Sequence, residues 1–410
     1  MKKALILPVV LLAAVSCCNK TSSKKPKTKV YDYGVSTNLR YSGTIKVESV
    51  DTEIEFTRKL LDEFNKYTNS NVNFNVVAHE SPTDYLDPTI MPDVLTVESD
   101  ALIDYLKMGA ISSIDEADLN WVGQYNDATI KEQLCFNNKY YGYPYSVSPV
   151  LMIYNKKLAK ENEIDTVDKL FYVAEQKNQL VVSQLVNHPF YSSGILNTFN
   201  ENGNFYKLTA KSDTQYSSTS SFNCAEGLSG AKLFRRIVKD VNYFDTNDTT
   251  SSRLAAFADA YNAKKLINSL GSDYDIAALP KVGEEDTARV GSTAIVEYYA
   301  VNKTKSDEIK TISKDVAKFL SSEYSQLARF KNNGYIPSVN TLDQETKGGK
   351  FVEAYKNQKS ANSIRMSGIV DTKFFVYVNN FCNQINNQSS ITDQQYQSYL
   401  NELDMMLLEN

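Results

Sequence analysis

The sequence predicts an α/β fold built as two lobes that are joined by crossover segments. Strand and helix patterns alternate over residues 43–109, which is typical of a mainly parallel sheet covered by helices. Residues 140–157 then read as a Tyr-, Gly- and Pro-rich turn followed by an apolar strand. A chain of 410 residues is long enough for two cores. Residues 140–157 are therefore the first candidate for both a hinge and a ligand cleft.

The first lobe begins with a predicted β-α-β-α-β order. Apolar residues recur at helical spacing between Ile54 and Phe64, and alternation marks the flanking segments as strands. Asp100 follows the third strand as a predicted helix cap, and Gly109 ends that helix. The predicted strands cover residues 43–49, 72–77 and 92–98, and the predicted helices cover residues 53–68 and 100–106.

The remainder of the chain has weaker patterns. Thr166 and Asn223 are predicted N-caps of two helices, and Pro280 ends a strand that begins at residue 275. Residues 181–186 fit either a strand or a buried helical piece, because periodicity does not separate the two. We expect an irregular loop over residues 200–221, helices over 225–239, 251–270 and 309–330, a strand over 290–302, and mostly helix from residue 347.

The N-terminus has the pattern of a lipoprotein signal peptide. Two lysines precede an apolar run from Ala4 to Val15, which is too short to span a bilayer as a mature helix. The run ends in Ser16-Cys17-Cys18, which resembles a bacterial lipobox, where a cysteine after a small residue becomes the lipid-modified N-terminus. Ser16 favours Cys17 as the palmitate-bearing residue over Cys18. A plain secreted protein is the alternative interpretation.

Residues 17–42 are predicted to be the lipidated cysteine and a flexible tether, because residues 19–29 are rich in Lys, Ser and Thr and have little apolar surface. A net charge of −5 argues against a nucleic-acid partner. The remaining cysteines, Cys135, Cys224 and Cys382, form no CxxC pair, and with two histidines they do not predict a metal site. A disulfide among them stays open, and no cofactor is predicted.

An ordered set of motifs resembles family 1 extracellular solute-binding proteins, the maltose-binding-protein-like subunits of ABC sugar importers. None of the motifs is specific alone, but they follow the family order over residues 43–410. The motifs are Pro92-Asp-Val-Leu, Tyr143-Pro-Tyr-Ser with Ile153-Tyr-Asn-Lys, Thr166-Val-Asp-Lys-Leu, Phe222-Asn-Cys-Ala-Glu-Gly, Ala278-Leu-Pro with Gly291-Ser, and Lys318-Phe-Leu-Ser-Ser-Glu with Gly334-Tyr-Ile-Pro.

The resemblance implies a two-lobe, type II periplasmic-binding-protein fold with an interlobe cleft and crossover hinges. Residues 1–16 would be the signal peptide. The first lobe would comprise residues 43–145 and 287–336, and the second lobe residues 146–286 and 337–410. Ligand would bind between the lobes, and the lobes would close by a hinge motion.

A sugar site needs aromatic faces for ring CH groups, and carboxylates or hydroxyls for ring hydroxyls. By position, Asp100 resembles a sugar-contacting Asp of the family, although it also fits the role of a helix cap. Ser148 and Val97 stand where the family has a ligand-binding Glu and an aromatic residue, so maltodextrin itself is not specified. The predicted ligand-binding residues are Asp100, Glu98, Tyr145, Ser146, Glu297, Tyr298, Tyr299 and Phe374.

The implied function is a lipid-anchored, monomeric solute receptor on the extracellular face of the cell membrane. It would bind a small molecule, expected to be a sugar, and deliver it to the transmembrane subunits of an ABC permease. A surface adhesin or antigen is one alternative, and a carbohydrate-active enzyme that uses paired carboxylates is another. We expect no enzyme, because no Gly-x-Ser-x-Gly, His-Glu-x-x-His or P-loop sequence is present.

Overall fold

Two separate β-sheets organise the chain. The computed structural model describes residues 31, 33–37, 39–126, 128–201, 203–246, 253–259, 262–263, 266–267, 270–286 and 288–408. The predicted signal peptide and the lipidation site at Cys17 lie outside the described residues. Among the described residues, none of the helices is both long enough and apolar enough to cross a membrane.

The first sheet contains seven strands within the described residues, in the order β15-β6-β14-β3-β1-β2, with β16 beside β14. Strand β1 is parallel to β2 and β3, whereas β14 runs antiparallel to both β3 and β6. The strands are β1 (Thr44–Ser49), β2 (Asn73–Ala78), β3 (Val94–Glu98), β6 (Tyr143–Pro149), β14 (Ser292–Val301), β15 (Ile336–Pro337) and β16 (Ile364–Met366).

The second sheet contains five strands within the described residues, in the order β11-β8-β12-β7-β13. Strand β7 is antiparallel to β12 and β13, and β8 is parallel to β11 and β12. The strands are β7 (Leu151–Asn155), β8 (Leu180–Ser183), β11 (Tyr243–Asp245), β12 (Arg253–Ala258) and β13 (Tyr274–Ala277). Two hairpins, β4 (Cys135–Phe136) with β5 (Lys139–Tyr140) and β9 (Tyr206–Ala210) with β10 (Tyr216–Ser220), lie outside both sheets.

Helices cover the sheets and close separate cores on them. The α-helices are α1 (Ile54–Thr68), α2 (Leu102–Lys107), α3 (Glu116–Tyr125), α4 (Ala128–Glu132), α5 (Val167–Gln176), α6 (Pro189–Leu196), α7 (Ala225–Val238), α8 (Asp307–Leu320), α9 (Glu323–Asn333), α10 (Lys350–Ser360), α11 (Thr372–Asn387) and α12 (Asp393–Leu408). Strand β14 contributes to the cores on both faces of the first sheet. Tyr298 packs into one and Tyr299 into the other, as the alternation of side chains along a strand requires.

The predicted β-α-β-α-β elements that begin the first lobe are confirmed to within one or two residues. Three predicted strands are β1, β2 and β3, and the predicted amphipathic helix is α1. Thr166 is the N-cap of α5, where its hydroxyl accepts a hydrogen bond from the Lys169 N–H group. In the segment 181–186, where strand and helix were both open, residues 181–183 belong to strand β8 and a turn follows. Local sequence patterns suffice here because each element buries one regular face.

The prediction of an irregular loop over residues 200–221 is wrong, because a hairpin of β9 and β10 forms there. Its Ser- and Thr-rich strands gain support from the C-terminal helix α12. The Ser220 hydroxyl donates a hydrogen bond to the Asp404 carboxylate at 2.6 Å, and the Ser218 hydroxyl donates to the Leu407 carbonyl at 2.7 Å. Contacts between residues that are more than 180 positions apart in the sequence cannot be recognised from the local sequence.

Two other helix predictions are also wrong. The predicted helix over residues 251–270 is wrong at residues 253–258, which form β12, a fully buried central strand whose short apolar run does not differ in pattern from a buried helix. The described residues 262–263, 266–267 and 270 are helical, as predicted. The predicted single helix over residues 309–330 is broken into α8 and α9 at Ser321-Ser322. The Ser321 hydroxyl donates to the Tyr143 carbonyl at 2.8 Å, and Ser322 becomes the N-cap of α9. The N-cap of α7 is Cys224 instead of Asn223.

The two sheets are connected where β6 passes into β7 and where residues 278–291 lead from β13 into β14. These crossovers lie side by side: the Val150 N–H donates to the Thr293 carbonyl at 2.9 Å, and the Ser292 hydroxyl donates to the Val150 carbonyl at 2.6 Å. Helix α6 packs against the second crossover. A Cβ on Gly194 would lie 2.6 Å from the Gly291 carbonyl oxygen, so only glycine fits at this contact.

A buried ion pair ties α1 and α9 to the first sheet. Arg329, which is 1% exposed, donates through Nε to Glu53 Oε2 at 2.9 Å and through a terminal nitrogen to the Tyr299 hydroxyl at 2.9 Å. Its guanidinium carbon also lies 4.4 Å from the centroid of the Tyr145 ring. The arginine thus satisfies the buried Glu53 carboxylate and packs on a tyrosine of β6.

We predict that Arg329→Met lowers the free energy of unfolding by about 3–5 kcal/mol, because it leaves the Glu53 carboxylate buried without its cation. Urea denaturation of the two proteins measures this difference. Arg58→Met is the matched control, since the Arg58–Glu55 pair is on the surface and is expected to contribute no more than about 1 kcal/mol. Equal losses in the two variants would contradict a structural role for the buried pair.

Candidate ligand-binding cleft

A cavity of about 520 Å³ lies between the two sheets. One wall comes from the ends of strands of the first sheet and the turn after β3. The opposite wall comes from the start of α6, the end of β12 and helix α11. The lining residues are Glu98, Asp100, Ala101, Asp104, Ser148, His188, Pro189, Phe190, Asp259, Ile295, Glu297 and Phe375.

Strand register places two glutamates beside each other on the first wall. Glu98 is the last residue of β3, and its direct partner on the antiparallel strand β14 is Glu297. On the other side of β14, Ile295 is paired with Ser148 of β6. Directly opposite residues of an antiparallel pair have Cβ atoms roughly 4.5–5.5 Å apart. Two like charges are therefore held close together at the edge of the cavity.

The chain turns sharply after β3 and adds two further carboxylates. Residues Ser99–Ala101 form one turn of 3₁₀ helix, which leads directly into α2. The Ser99 hydroxyl accepts a hydrogen bond from the Val296 N–H at 3.1 Å, which fixes the turn against β14. Asp100 is on the turn and Asp104 is one helical turn further, so both lie on the cavity side. Asp100 is not the N-cap of α2, whose N-cap residue is Ala101.

The second wall combines apolar surface with one carboxylate. Pro189 begins α6, and Phe190 is 7% exposed, while Phe375 of α11 is half-buried. Asp259 follows β12 and is held by a hydrogen bond from the Tyr191 hydroxyl and by another from the Asn262 N–H at 2.9 Å. This carboxylate is therefore fixed in position, beside flat apolar groups.

The cavity raises the pKa of its carboxyl groups. The Glu98 side chain is exposed to the cavity itself, but the cavity walls limit its hydration. That desolvation, and then repulsion by Asp100 and Glu297, raises the pKa of Glu98 to about 8. Burial and the charge of Glu53 raise the pKa of Glu297 to about 7, although a side-chain hydrogen bond from Tyr145 opposes the increase. Burial raises the pKa of Asp100 to about 6.

Three of the predicted ligand-binding residues, Glu98, Asp100 and Glu297, line the cavity. The other predicted residues are buried elsewhere. Tyr145 stacks on Tyr299, with ring centroids 4.6 Å apart, in the core that contains α1. Ser146 of β6 is buried and pairs with Glu297 of β14. Tyr298 lies in the core on the other face of the first sheet. Phe374 stacks on Tyr206, with ring centroids 5.2 Å apart.

Several cavity residues were not anticipated from the sequence. Ser148 was noted only as a departure from the family pattern, yet it lies two residues after Ser146 on the same strand face. Asp104 follows Asp100 by four residues, a spacing that a helix prediction could have used. No sequence signal points to Asp259, which follows a segment mistaken for helix, or to His188 and Phe190. Among the described residues, no group of His, Cys, Asp and Glu has the arrangement of a metal site.

Comparison with known proteins assigns the chain to a family. The family model described as bacterial extracellular solute-binding protein matches residues 59–358, and the chain belongs to this family. The chain is also 24% identical over 268 residues to the galactooligosaccharide-binding protein of Bacillus subtilis (strain 168). That match covers 61% of each protein, so the chain spans less than two thirds of this relative.

Solved structures of maltodextrin-binding proteins share the fold. A ligand-free maltodextrin-binding protein from L. casei BL23 matches with a TM-score of 0.76 and 18% identity, over 90% of this chain and 100% of that one. The maltotriose-binding protein of Thermus thermophilus, bound with maltotriose, matches with a TM-score of 0.68 and 14% identity, over 90% and 99%. The predicted α/β, two-lobe periplasmic-binding-protein fold is therefore confirmed.

We predict that the protein loses stability as the pH rises from about 5 to 8. The pKa values of Glu98, Glu297 and Asp100 are above their ordinary values, so the folded protein keeps protons that the unfolded chain has already released in this range. Glu98→Gln should flatten this slope and raise stability at pH 8. Thermal unfolding followed by circular dichroism between pH 5 and 9 measures both effects.

The control for this prediction is Glu175→Gln, which removes the same charge from an exposed position on α5. It should leave the slope of stability against pH unchanged. If Glu98→Gln and Glu175→Gln give the same slope as the parent protein, the carboxyl groups of the cavity do not interact as described.

Proposed function

We propose that the protein is a lipid-anchored extracellular receptor of an ABC importer, which binds a saccharide between its lobes and delivers it to the permease. The observation that carries this proposal is the 520 Å³ cavity, because it combines carboxylates with flat apolar groups and receives residues from both sheets. Family membership and the resemblance to sugar-binding relatives support the same function.

The cavity has the two kinds of surface that a saccharide needs. Glu98, Asp100 and Glu297 accept hydrogen bonds from ring hydroxyls, while Phe190 and Phe375 pack against the apolar faces of the rings. The five predicted residues that are buried outside the cavity pack behind its walls and do not contact the ligand in this proposal. Tyr145, for example, stacks on Tyr299, which follows Glu297 by two residues on β14.

Closure of the two walls on the ligand takes place at the paired crossovers. The hydrogen bonds of Val150 with Ser292 and Thr293 keep the two segments together. The contact of Gly194 with Gly291 lets α6, which carries Phe190, lie directly on the second crossover. In this proposal the first lobe comprises residues 43–145 and 287–336, the second comprises residues 146–286 and 337–410, and the receptor is a monomer that presents both lobes to the permease.

A glycosidase is the second candidate function, because the adjacent Glu98 and Glu297 could supply a general acid of raised pKa and a carboxylate partner. The relatives are binding proteins, which favours a receptor. Incubation with chromogenic α- and β-glycosides separates the two functions. A receptor releases no chromophore at any pH between 5 and 8, whereas turnover that disappears in Glu98→Gln would establish the enzyme.

We predict that saccharides raise the melting temperature of the protein, since a ligand that binds only the folded state stabilises it by RT ln(1 + [L]/Kd), or about 2.7 kcal/mol at one hundred times Kd. A thermal-shift screen of sugars, polyols, peptides and polyamines measures this. Asp100→Ala should weaken binding roughly tenfold or more, because hydrogen bonds to a charged group contribute about 1.5–3 kcal/mol.

Asp62→Ala is the control for Asp100→Ala, because Asp62 is an exposed carboxylate on α1 and does not line the cavity. Its affinity for the saccharide should equal that of the parent protein. A failure of every saccharide in the screen to stabilise the protein would refute the proposed ligand class. Unchanged affinity in Asp100→Ala would remove Asp100 from the binding site.

We predict that the protein is anchored to the membrane through Cys17. Cells that express it with an alkyne analogue of palmitate should give labelled protein, and Cys17→Ser should abolish the label, because the proposal places the lipid on Cys17 and not on Cys18. Cys18→Ser is the matched control and should keep the label. The opposite result would assign the lipid to Cys18, and no labelling of the parent protein would indicate plain secretion.

A further inference from the structure

The proposed binding cleft has an acidic lining without basic counterparts. The described residues that line it include five carboxylates but no lysine or arginine, and its single histidine, His188, has a pKa that desolvation lowers. The carboxylates come from three separate segments of the chain, residues 98–104, Asp259 and Glu297, so they are not the exposed face of one helix. They are Glu98, Asp100, Asp104, Asp259 and Glu297.

Elsewhere in the described structure, buried carboxylates have a cation or several donors. Glu53 is paired with Arg329, and Asp118 is contacted by both Lys314 and Lys318. Asp371 accepts hydrogen bonds from two tyrosines. Among the described residues, no lysine or arginine nitrogen lies within 4.0 Å of a carboxylate in the cleft. The protein thus pairs acidic groups with cations in the cores but leaves the carboxylates of the cavity without a cation.

A second observation points to a ligand at the same place. Ser148 is 4% exposed and lines the cavity, yet among the described residues its hydroxyl has no hydrogen-bond partner. A hydroxyl that faces the cavity and has no partner within the protein can hydrogen-bond to a ligand. Ser148 is on β6 opposite Ile295, next to the pair of Glu297 with Ser146. The hydroxyl and the carboxylates can therefore contact the same molecule.

We propose that the cleft selects an oligosaccharide that carries protonated amino groups, bound by Glu98, Asp100 and Glu297. This inference rests on the proposed saccharide receptor and specifies its substrate class. An ammonium group donates three hydrogen bonds and supplies the charge that the cavity lacks. Phe190, Phe375 and Ile295 provide the apolar surface that favours sugar rings over a linear polyamine.

Proton release on binding gives this proposal a distinctive signature. With pKa values of about 8 for Glu98, about 7 for Glu297 and about 6 for Asp100, the empty cleft keeps part of its protons at pH 7. A cation in the cleft lowers these pKa values more strongly than the hydroxyl groups of a neutral sugar do, and it therefore drives more protons off. His79, Asp104, Asp259 and His188 also face or influence the cavity, so the total release is measured instead of being assigned to one group.

Isothermal titration calorimetry of the full chain in detergent tests the proposal with three matched trisaccharides. The probes are the β-1,4-linked glucosamine trimer, its fully N-acetylated form, and maltotriose. Titration at pH 7 in two buffers of different ionisation enthalpy gives both the affinity and the number of protons released. We expect the glucosamine trimer to bind at least tenfold more tightly than both neutral trimers, with net release of protons and an affinity that falls with added salt.

Two charge-neutralising variants identify the groups that bind the ammonium. Glu98→Gln and Glu297→Gln should each weaken binding of the glucosamine trimer about tenfold or more and reduce proton release. Glu175→Gln, the exposed control on α5, should change neither quantity. The comparison of the three sugars with the parent protein does not depend on the variants, so it decides the question even if a variant fails to fold.

The outcomes separate this inference from the proposed function. Equal or tighter binding of maltotriose or the N-acetylated trimer overturns the inference and leaves the saccharide receptor intact. Binding of none of the three trimers overturns the inference, whereas the saccharide receptor is overturned only if every saccharide in the thermal-shift screen also fails to bind. Tighter binding of the glucosamine trimer without proton release, and without an effect of Glu98→Gln or Glu297→Gln, places the ammonium elsewhere and also overturns the inference.

Discussion

The pairing register of β14 is the constraint on which both cores and the cleft depend. This strand is held antiparallel between β3 and β6, and side chains alternate along it, so the register alone decides which residue meets which neighbour. Glu297 therefore lies opposite Glu98, while Tyr298 enters one core and Tyr299 the other. A slip of one residue would bury a glutamate and place a tyrosine in the cavity. The arrangement of the binding groups is thus a consequence of the same hydrogen bonds that hold the sheet.

The sequence is sufficient to predict the parts of the fold whose elements bury one regular face, which includes β1, α1 and β3, and it locates Asp100 because the turn after a parallel strand is a local feature. It is not sufficient for the second wall. Asp259 and Phe375 belong to elements that meet only through tertiary packing, and β12 has the same short apolar pattern as a buried helix. Residues that are in contact but lie more than a hundred positions apart in the sequence form no short motif that could be recognised.

The tyrosines show why a residue type alone does not identify a contact. The pairing of β6 with β14 shifts between Glu297 and Tyr298, so that Ser146 and Pro144 are the paired residues and Tyr145 is the extra one. Such a bulge re-aims a side chain. Tyr145 consequently turns into the core, where it stacks on Tyr299 and contacts Arg329. An unbroken alternation would predict the opposite face, and the bulge has no marker in the sequence.

Unpaired carboxylates in the cleft carry an energetic cost that a purely structural protein has no reason to retain. Like charges on adjacent strands repel, and limited hydration strengthens the repulsion. The pKa values of Glu98 and Glu297 are raised for these reasons. The cost stays local because Glu98 is the last residue of β3 and its partner Glu297, in the middle of β14, lines the cavity instead of a core. The cores can therefore be well packed and ion-paired while the cavity between them remains unfavourable when empty. That difference is available as binding free energy to a ligand that supplies the missing hydrogen bonds and charge.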